Sequence, residues 1–101
     1  MKVYISQLIN DRDLDMVIRE RNQIMEHVRK LYPDAEEIES LFWSYDIESK
    51  NLPLKMLGMS LELMAEADLV VFADCWSLGR DCKIEHEAAL QYGLKILDLD
   101  E

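Results

Sequence analysis

Residues 69–73 read Leu-Val-Val-Phe-Ala, a continuous apolar run. A strand with one solvated face alternates apolar and polar side chains, whereas a strand covered on both faces does not, and strands of the second kind belong to parallel sheets. The run therefore predicts the central strand of a parallel sheet.

The segments on either side of this run alternate between strand and helix patterns. Short apolar stretches and period-two alternation predict strands, while apolar residues that repeat every three or four positions predict helices. Polar residues 10–13 can cap the first helix, Pro33 ends it, Pro53 suits the first turn of the second, and Gly93 stops the third. In chain order we predict a strand at residues 3–5, a helix from residue 14 to Pro33, a strand at 38–43, a helix from 53 to about 66, the strand at 69–73, a helix at 82–92 and a strand at 94–97.

This order predicts the fold class. Right-handed crossovers place helices on both faces of a parallel sheet. We therefore expect one α/β domain over residues 1–101, a small three-layer α/β/α arrangement with a four- to five-stranded parallel, flavodoxin-like sheet. Ligands bind at the carboxyl ends of the strands in such sheets. Residues 6–10, 43–46 and 74–85 should meet at that edge.

The charge balance restricts the partners. The chain has 21 acidic and 11 basic residues, a formal net charge of −10. Such a field repels nucleic-acid polymers and anionic lipid surfaces, so neither is an expected partner. A small anion still binds where one helix N-terminus or one arginine dominates locally.

Two cysteines, Cys75 and Cys82, are spaced for neither a disulfide framework nor a zinc motif, so we predict reduced thiols. We see no signal-peptide pattern and no apolar run of membrane-spanning length, which predicts a soluble, cytoplasmic protein. Cys82 and His86 lie four residues apart, but two aligned donors are usually incidental. We predict no metal site and no cofactor.

The segment from residue 74 to residue 85 is the richest in reactive side chains. It combines carboxylates, cations, an aromatic ring and a glycine just before a predicted helix N-terminus, where anions are stabilised. The alternative is an ordinary capped helix with solvated charges. The side chains concerned are Asp74, Trp76, Ser77, Gly79, Arg80, Asp81, Lys83 and Glu85.

Several short motifs occur in a recognisable order along the chain. They are Val3-Tyr4-Ile5-Ser6, Leu61 with Ala67-Asp68 ahead of the strand at residues 69–72, Trp76, Glu85, Ala89, and Gly93 with Ile96. Together they resemble the nucleoside 2-deoxyribosyltransferase-like family of small phage and bacterial proteins, over nearly the whole chain.

The resemblance implies an activity and a set of site residues. It implies an N-glycoside hydrolase or deoxyribosyltransferase acting on a nucleoside or nucleotide. Glu85 would attack the anomeric carbon, and a Tyr4 hydroxyl hydrogen-bonded to Glu85 would orient it. The expected substrate-binding residues are Ser6, Asp74, Trp76, Gly79, Arg80 and Asp81.

The chain also departs from the family pattern at four positions. Ser60 stands where the family has an aspartate, Gly79 where it has a serine, Asp81 where it has a glycine, and Gln7 where it has the glycine of the first strand. The missing acid could be replaced by Asp46, Glu62 or Asp74. These departures keep a second hypothesis open, a non-catalytic module of the same fold that binds a nucleotide-like molecule.

The predicted helix from Leu54 to Glu66 is apolar around most of its circumference, more than one sheet can cover. We infer that one face packs on the sheet and the other meets a second subunit, giving a homodimer or a higher homo-oligomer. The alternative is a helix buried within the monomer. A third functional hypothesis, an interaction domain that serves assembly, follows from the same helix.

Overall fold

The computed structural model describes residues 1–9, 11–41 and 48–100. Within these ranges the chain forms four strands and three α-helices. They are β1 (Lys2–Ser6), α1 (Leu14–Leu31), β2 (Glu36–Glu37), α2 (Leu52–Met64), β3 (Leu69–Phe72), α3 (Arg80–Gln91) and β4 (Ile96–Asp98), with a 3₁₀ turn at Trp76–Leu78.

The four strands form one sheet in the order β2-β1-β3-β4, and every pair is parallel. The predicted α/β class and parallel sheet are confirmed. β3 lies between β1 and β4, and each of its residues is at most 1% exposed. The apolar run at residues 69–73 thus marks an interior strand, as its pattern predicted.

The two faces of the sheet are covered by different helices. Alternate residues of β1 and β3 point to opposite faces, because the side-chain period of a strand is two. Val3 and Val71 pack with Met25 of α1 on one face. Tyr4 and Phe72 face the other side, in a cluster that α2 and α3 complete with Met64 and Ala89. This gives the three layers expected from right-handed crossovers.

Short polar residues and a glycine set the helix ends. The carboxylate of Asp13 accepts a hydrogen bond from the backbone N–H of Asp15, at 2.9 Å, and begins α1. Asn51 caps α2 in the same way. Gly93 follows α3 with a φ of +69°, a conformation that favours glycine. Asn10, part of the predicted cap, lies outside the described residues.

The second strand is not where the alternation at residues 38–43 predicts it. β2 covers only Glu36–Glu37, and its pairing with β1 ends where the N–H of Ile38 donates to the carbonyl of Val3. Residues 38–41 then leave the ladder, and the hydroxyl of Ser40 accepts a hydrogen bond from Arg21 instead. A side-chain contact thus replaces backbone pairing. Phe42 and Trp43 lie outside the described residues.

Among the described residues, none of the helices combines the length and the apolar character needed to traverse a lipid bilayer.

Met25 and Met16 provide a matched test of how α1 packs. Met25 is 2% exposed in the core and Met16 is 56% exposed on the same helix. We expect Met25→Ala to lower the free energy of unfolding by about 2–5 kcal/mol, because it leaves a cavity. Met16→Ala should change it by less than about 0.5 kcal/mol. Urea denaturation of both variants measures the difference, and similar losses would contradict this packing.

Candidate active site

A cavity of about 400 Å³ opens at the carboxyl end of β1, beside the N-terminal turns of α2 and α3. This is the edge at which parallel α/β sheets bind ligands, beside the strands where the direction of the crossovers reverses. Its polar side chains are Tyr4, Gln7, Arg21, Ser40, Ser60, Arg80, Asp81, Cys82 and Glu85. The volume is in the range typical of small-molecule sites, about 300–1,000 Å³.

Glu85 is the buried carboxylate of this cavity, with only 5% of the residue exposed. The Tyr4 hydroxyl lies 3.0 Å from its Oε1 and 3.3 Å from its Oε2, and the Ser6 hydroxyl donates to Oε2 at 2.9 Å. Tyr4 and Ser6 are two residues apart on β1, so their side chains point to the same face of the sheet. The predicted Tyr4–Glu85 hydrogen bond is confirmed.

Burial controls the protonation of this pair. It raises the pKa of Glu85, because a desolvated carboxylate is costly to ionise. The hydrogen bonds from Ser6 and Tyr4 and the positive charge of Arg21 lower the pKa of Glu85, but only in part. Burial and the adjacent Glu85 also raise the pKa of Tyr4, which therefore stays protonated and acts as a donor.

The N-terminus of α3 supplies the other predicted site residues at this cavity. Gly79 precedes α3 and makes no side-chain cap. A Cβ there would lie 3.0 Å from Cδ1 of Leu8, so the serine of the family pattern would require Leu8 to move. Arg80 and Asp81 line the cavity mouth as an exposed ion pair at 2.9 Å. The hydrogen bond and the charge of Asp81 raise the pKa of Arg80.

Three residues predicted to bind substrate, Ser6, Asp74 and Trp76, do not line this cavity, and the hydroxyl of Ser6 is buried against Glu85. The Trp76 ring stacks on His86 with centroids 4.0 Å apart, and its Nε1 donates to Asp98 at 3.0 Å. Successive residues of a helix diverge by about 100°. His86 therefore turns away from the cavity that Glu85 faces, and Trp76 follows it.

Asp74 is exposed beside Asp100, whose hydrogen bond raises the pKa of Asp74. Among the described residues, Asp74, Cys75 and Asp100 bring possible metal-ligand atoms within 4.8 Å of one another. Exposed acidic groups are often this close without an ion, so we assign no site to them. Cys82 and His86, considered in the sequence as a possible pair of metal ligands, lie in different places. Cys82 lines the cavity, whereas His86 stacks on Trp76.

No carboxylate occupies the place of the family aspartate in the described structure. Ser60 lines the cavity there. Of the predicted replacements, Glu62 points outward from α2 and Asp74 lies with Asp100, so neither reaches the cavity. Asp46 lies outside the described residues.

Arg21 is a cavity residue that the sequence analysis missed. The residue is 3% exposed. Its guanidinium donates to Gln7 Oε1 at 3.1 Å and to the Ser40 hydroxyl at 2.9 Å, and it lies 3.5 Å from Glu37 Oε2. Gln7 in turn donates to Glu20 and to the carbonyl of Val17. Arg21 thus connects β1, α1 and the chain after β2. In the sequence it lies four residues after Val17 and three before Ile24, so the period of the apolar residues of α1 already places it on the buried face.

No protein-family model, curated protein or solved structure matches this chain. The resemblance to the deoxyribosyltransferase-like family therefore remains a prediction, and the site is argued from its own geometry.

We expect Glu85→Gln to raise the free energy of unfolding relative to wild type at neutral pH. The folded-state pKa of Glu85 is raised, so its stabilising contribution is complete below the ordinary glutamate pKa of about 4.3 and is lost as the pH rises through the raised value. Glutamine keeps an acceptor for Tyr4 and Ser6 and carries no charge.

Urea denaturation across about pH 4 to pH 8 measures this difference, which should shrink towards the acid end. Glu87→Gln, on an exposed position of the same helix, is the matched control and should show no such trend. A difference that grows towards low pH would contradict a raised pKa of Glu85.

Removing the buried guanidinium of Arg21 should destabilise the folded chain. We expect Arg21→Met to lower the free energy of unfolding by about 3–5 kcal/mol, because it leaves Gln7, Ser40 and Glu37 without their partner. Arg19→Met, at an exposed position of α1, should have little effect. Urea denaturation compares the two, and equal effects would show that the network is dispensable.

Proposed function

We propose that this chain is an N-glycoside hydrolase or deoxyribosyltransferase that acts on a nucleoside or nucleotide, with Glu85 as the nucleophile. The observation that supports this most is the contact of a buried carboxylate with two hydroxyl donors, Tyr4 and Ser6, at the wall of a cavity of small-molecule size. Perturbed carboxylates in clefts are typical of functional sites.

In the proposed reaction, an oxygen of ionised Glu85 forms a bond to the anomeric carbon of the sugar as the bond from that carbon to the base nitrogen breaks. The electron pair of the broken bond stays on the base, which takes a proton from solvent water and leaves. Water, or a second base, then attacks the same carbon, gives up a proton to solvent and releases the Glu85 carboxylate. This is the double displacement of retaining glycosidases.

Tyr4 and Ser6 fix the position of the nucleophile. Each donates to Glu85, so the carboxylate cannot rotate away from the cavity without breaking a buried hydrogen bond. A positioned nucleophile converts a bimolecular encounter into an intramolecular one. The nearby Arg21 favours the ionised form that the reaction needs.

The remaining cavity wall is mostly apolar and suits the ring faces of a nucleobase. The apolar residues come from the end of β1, α1, the chain after β2 and the first turns of α2, and aromatic or aliphatic walls are typical of such subsites. They are Ile5, Leu8, Ile9, Leu14, Leu41, Leu52, Pro53, Met56 and Leu57.

The ion pair at the cavity mouth favours a nucleoside over its 5′-monophosphate. Arg80 is engaged by Asp81, and a phosphate there would have to displace or repel that carboxylate. We therefore place uncharged nucleosides first among the substrates.

The second candidate function is a binding module of the same fold without catalysis. It is favoured by Ser60, which stands in the cavity where an acid would assist the departing base. A small-molecule ligand is common to both candidates, and catalysis distinguishes them.

The test follows free base by chromatography after incubation with ribo- and deoxyribonucleosides and their 5′-monophosphates. We expect release by wild type, a loss of at least about a hundredfold in Glu85→Gln, and no change in the control Glu87→Gln. Release that survives Glu85→Gln would exclude the nucleophile, and no release from any compound would favour the binding module.

The pH dependence of release identifies the role of Glu85. A nucleophile must be ionised, so kcat/KM should rise with pH as Glu85 loses its proton, at a pH above the ordinary glutamate range. Rates that instead fall over this interval would indicate a general acid. Intact-mass spectrometry after acid quench should find the sugar attached to wild type and not to Glu85→Gln.

A further inference from the structure

The outward face of α2 is unpartnered within the described chain. Met64 is buried against the sheet and Leu57 lines the cavity, whereas Leu54 is 62% exposed on the other side of the helix. Lys55, Gly58 and Glu62 are exposed with Leu54. A shallow groove of about 460 Å³ follows this face, beginning at residue 49. The net charge of −10 does not suit a nucleic acid or an anionic membrane here.

The fold of a single chain gives no reason for a glycine at position 58, inside α2. A glycine inside a helix costs about 1 kcal/mol relative to alanine. A Cβ at this position would meet nothing within 4 Å, so no neighbour in the described chain requires its absence. A residue without a side chain at an exposed helix position lets the backbone of another helix approach closely.

The charges around Gly58 are arranged to match a second copy. Lys55 lies three residues before Gly58, and Glu62 lies three residues after Met59. In an antiparallel helix pair with a two-fold axis between Gly58 and Met59, Lys55 faces Glu62 of the partner subunit, and this contact occurs twice.

The same face carries Leu54, the most exposed apolar residue of α2, which a second copy would cover. Within one helix, Lys55 and Glu62 are about 10 Å apart along the axis, too far to pair directly with each other.

We propose that a second copy of this chain docks antiparallel on the outer face of α2, with the two-fold axis at Gly58 and Met59 and reciprocal Lys55–Glu62 pairs. The opposite side of α2 carries Pro53 and Met56, which line the cavity beside Glu85. Self-association therefore supports one wall of the candidate active site. The proposal does not depend on the chemistry proposed for Glu85.

Analytical ultracentrifugation of the full chain, at about 0.15 M salt to screen the net charge, tests the contact through charge reversal. We expect wild type to dimerise, and Lys55→Glu and Glu62→Lys each to raise the dissociation constant at least about tenfold, because like charges then face each other. The double variant Lys55→Glu/Glu62→Lys should return it towards the wild-type value. Lys83→Glu, at an exposed position of α3, is the control.

If wild type is still monomeric at a chain concentration of about 100 μM, the dissociation constant exceeds that of a weak dimer and the proposal is overturned. Single variants that behave like Lys83→Glu, or a double variant that is not restored, would also overturn it. Circular dichroism verifies that each variant is folded, and the substituted side chains are exposed.

Gly58→Ala distinguishes an effect on the stability of α2 from an effect on the dimer contact. Alanine favours the helix, so the midpoint of thermal unfolding should rise at dilutions where the chain is monomeric. The added methyl group should nevertheless raise the dimer dissociation constant. A variant that is more heat-stable and dimerises as wild type does would show that the axis is not at Gly58.

Discussion

The burial of β3 on both faces is the constraint on which the rest of the molecule depends. Because this strand carries no polar side chain, each of its faces needs a helical layer, and parallel neighbours allow both layers to form. The strands then end at one edge, where the chain turns back into its helices. Tyr4 and Ser6 meet Glu85 there because β1 lies beside β3 and α3 follows it.

The sequence predicted those parts of the fold that depend on periodicity. The run at residues 69–73, the repeats of α1 and the stops at Pro33 and Gly93 each have a local cause, and each is found within a few residues of its predicted place. The second strand was misplaced because alternation of apolar and polar residues also occurs outside sheets, and the described part of the predicted strand, residues 38–41, forms no strand. After β2 the chain instead contacts α1 through the hydrogen bond from Arg21 to Ser40, and a pattern within residues 38–41 cannot indicate a contact with a residue 19 positions earlier.

Only those residues of the candidate site that belong to a recognisable sequence motif were predicted. Family resemblance led to Tyr4 and Glu85, and their contact is present. It led equally to Trp76, which lies elsewhere because stacking on His86 depends on the rotation of α3. Arg21 was missed although its position gave a sign: it lies four residues after Val17 and three before Ile24, on the stripe that α1 buries.

The parallel pairing of β1 with β3 also has a kinetic consequence. Val3 of β1 pairs with Leu69 of β3. For these two strands to pair, the chain between them, which includes α1 and α2, must close into a long loop. No hairpin can nucleate this sheet locally, and the entropy of closing such a loop slows the search. Folding should therefore be slower than in a helical bundle of equal length. While it proceeds, the apolar edge of β3 is open to association with other chains.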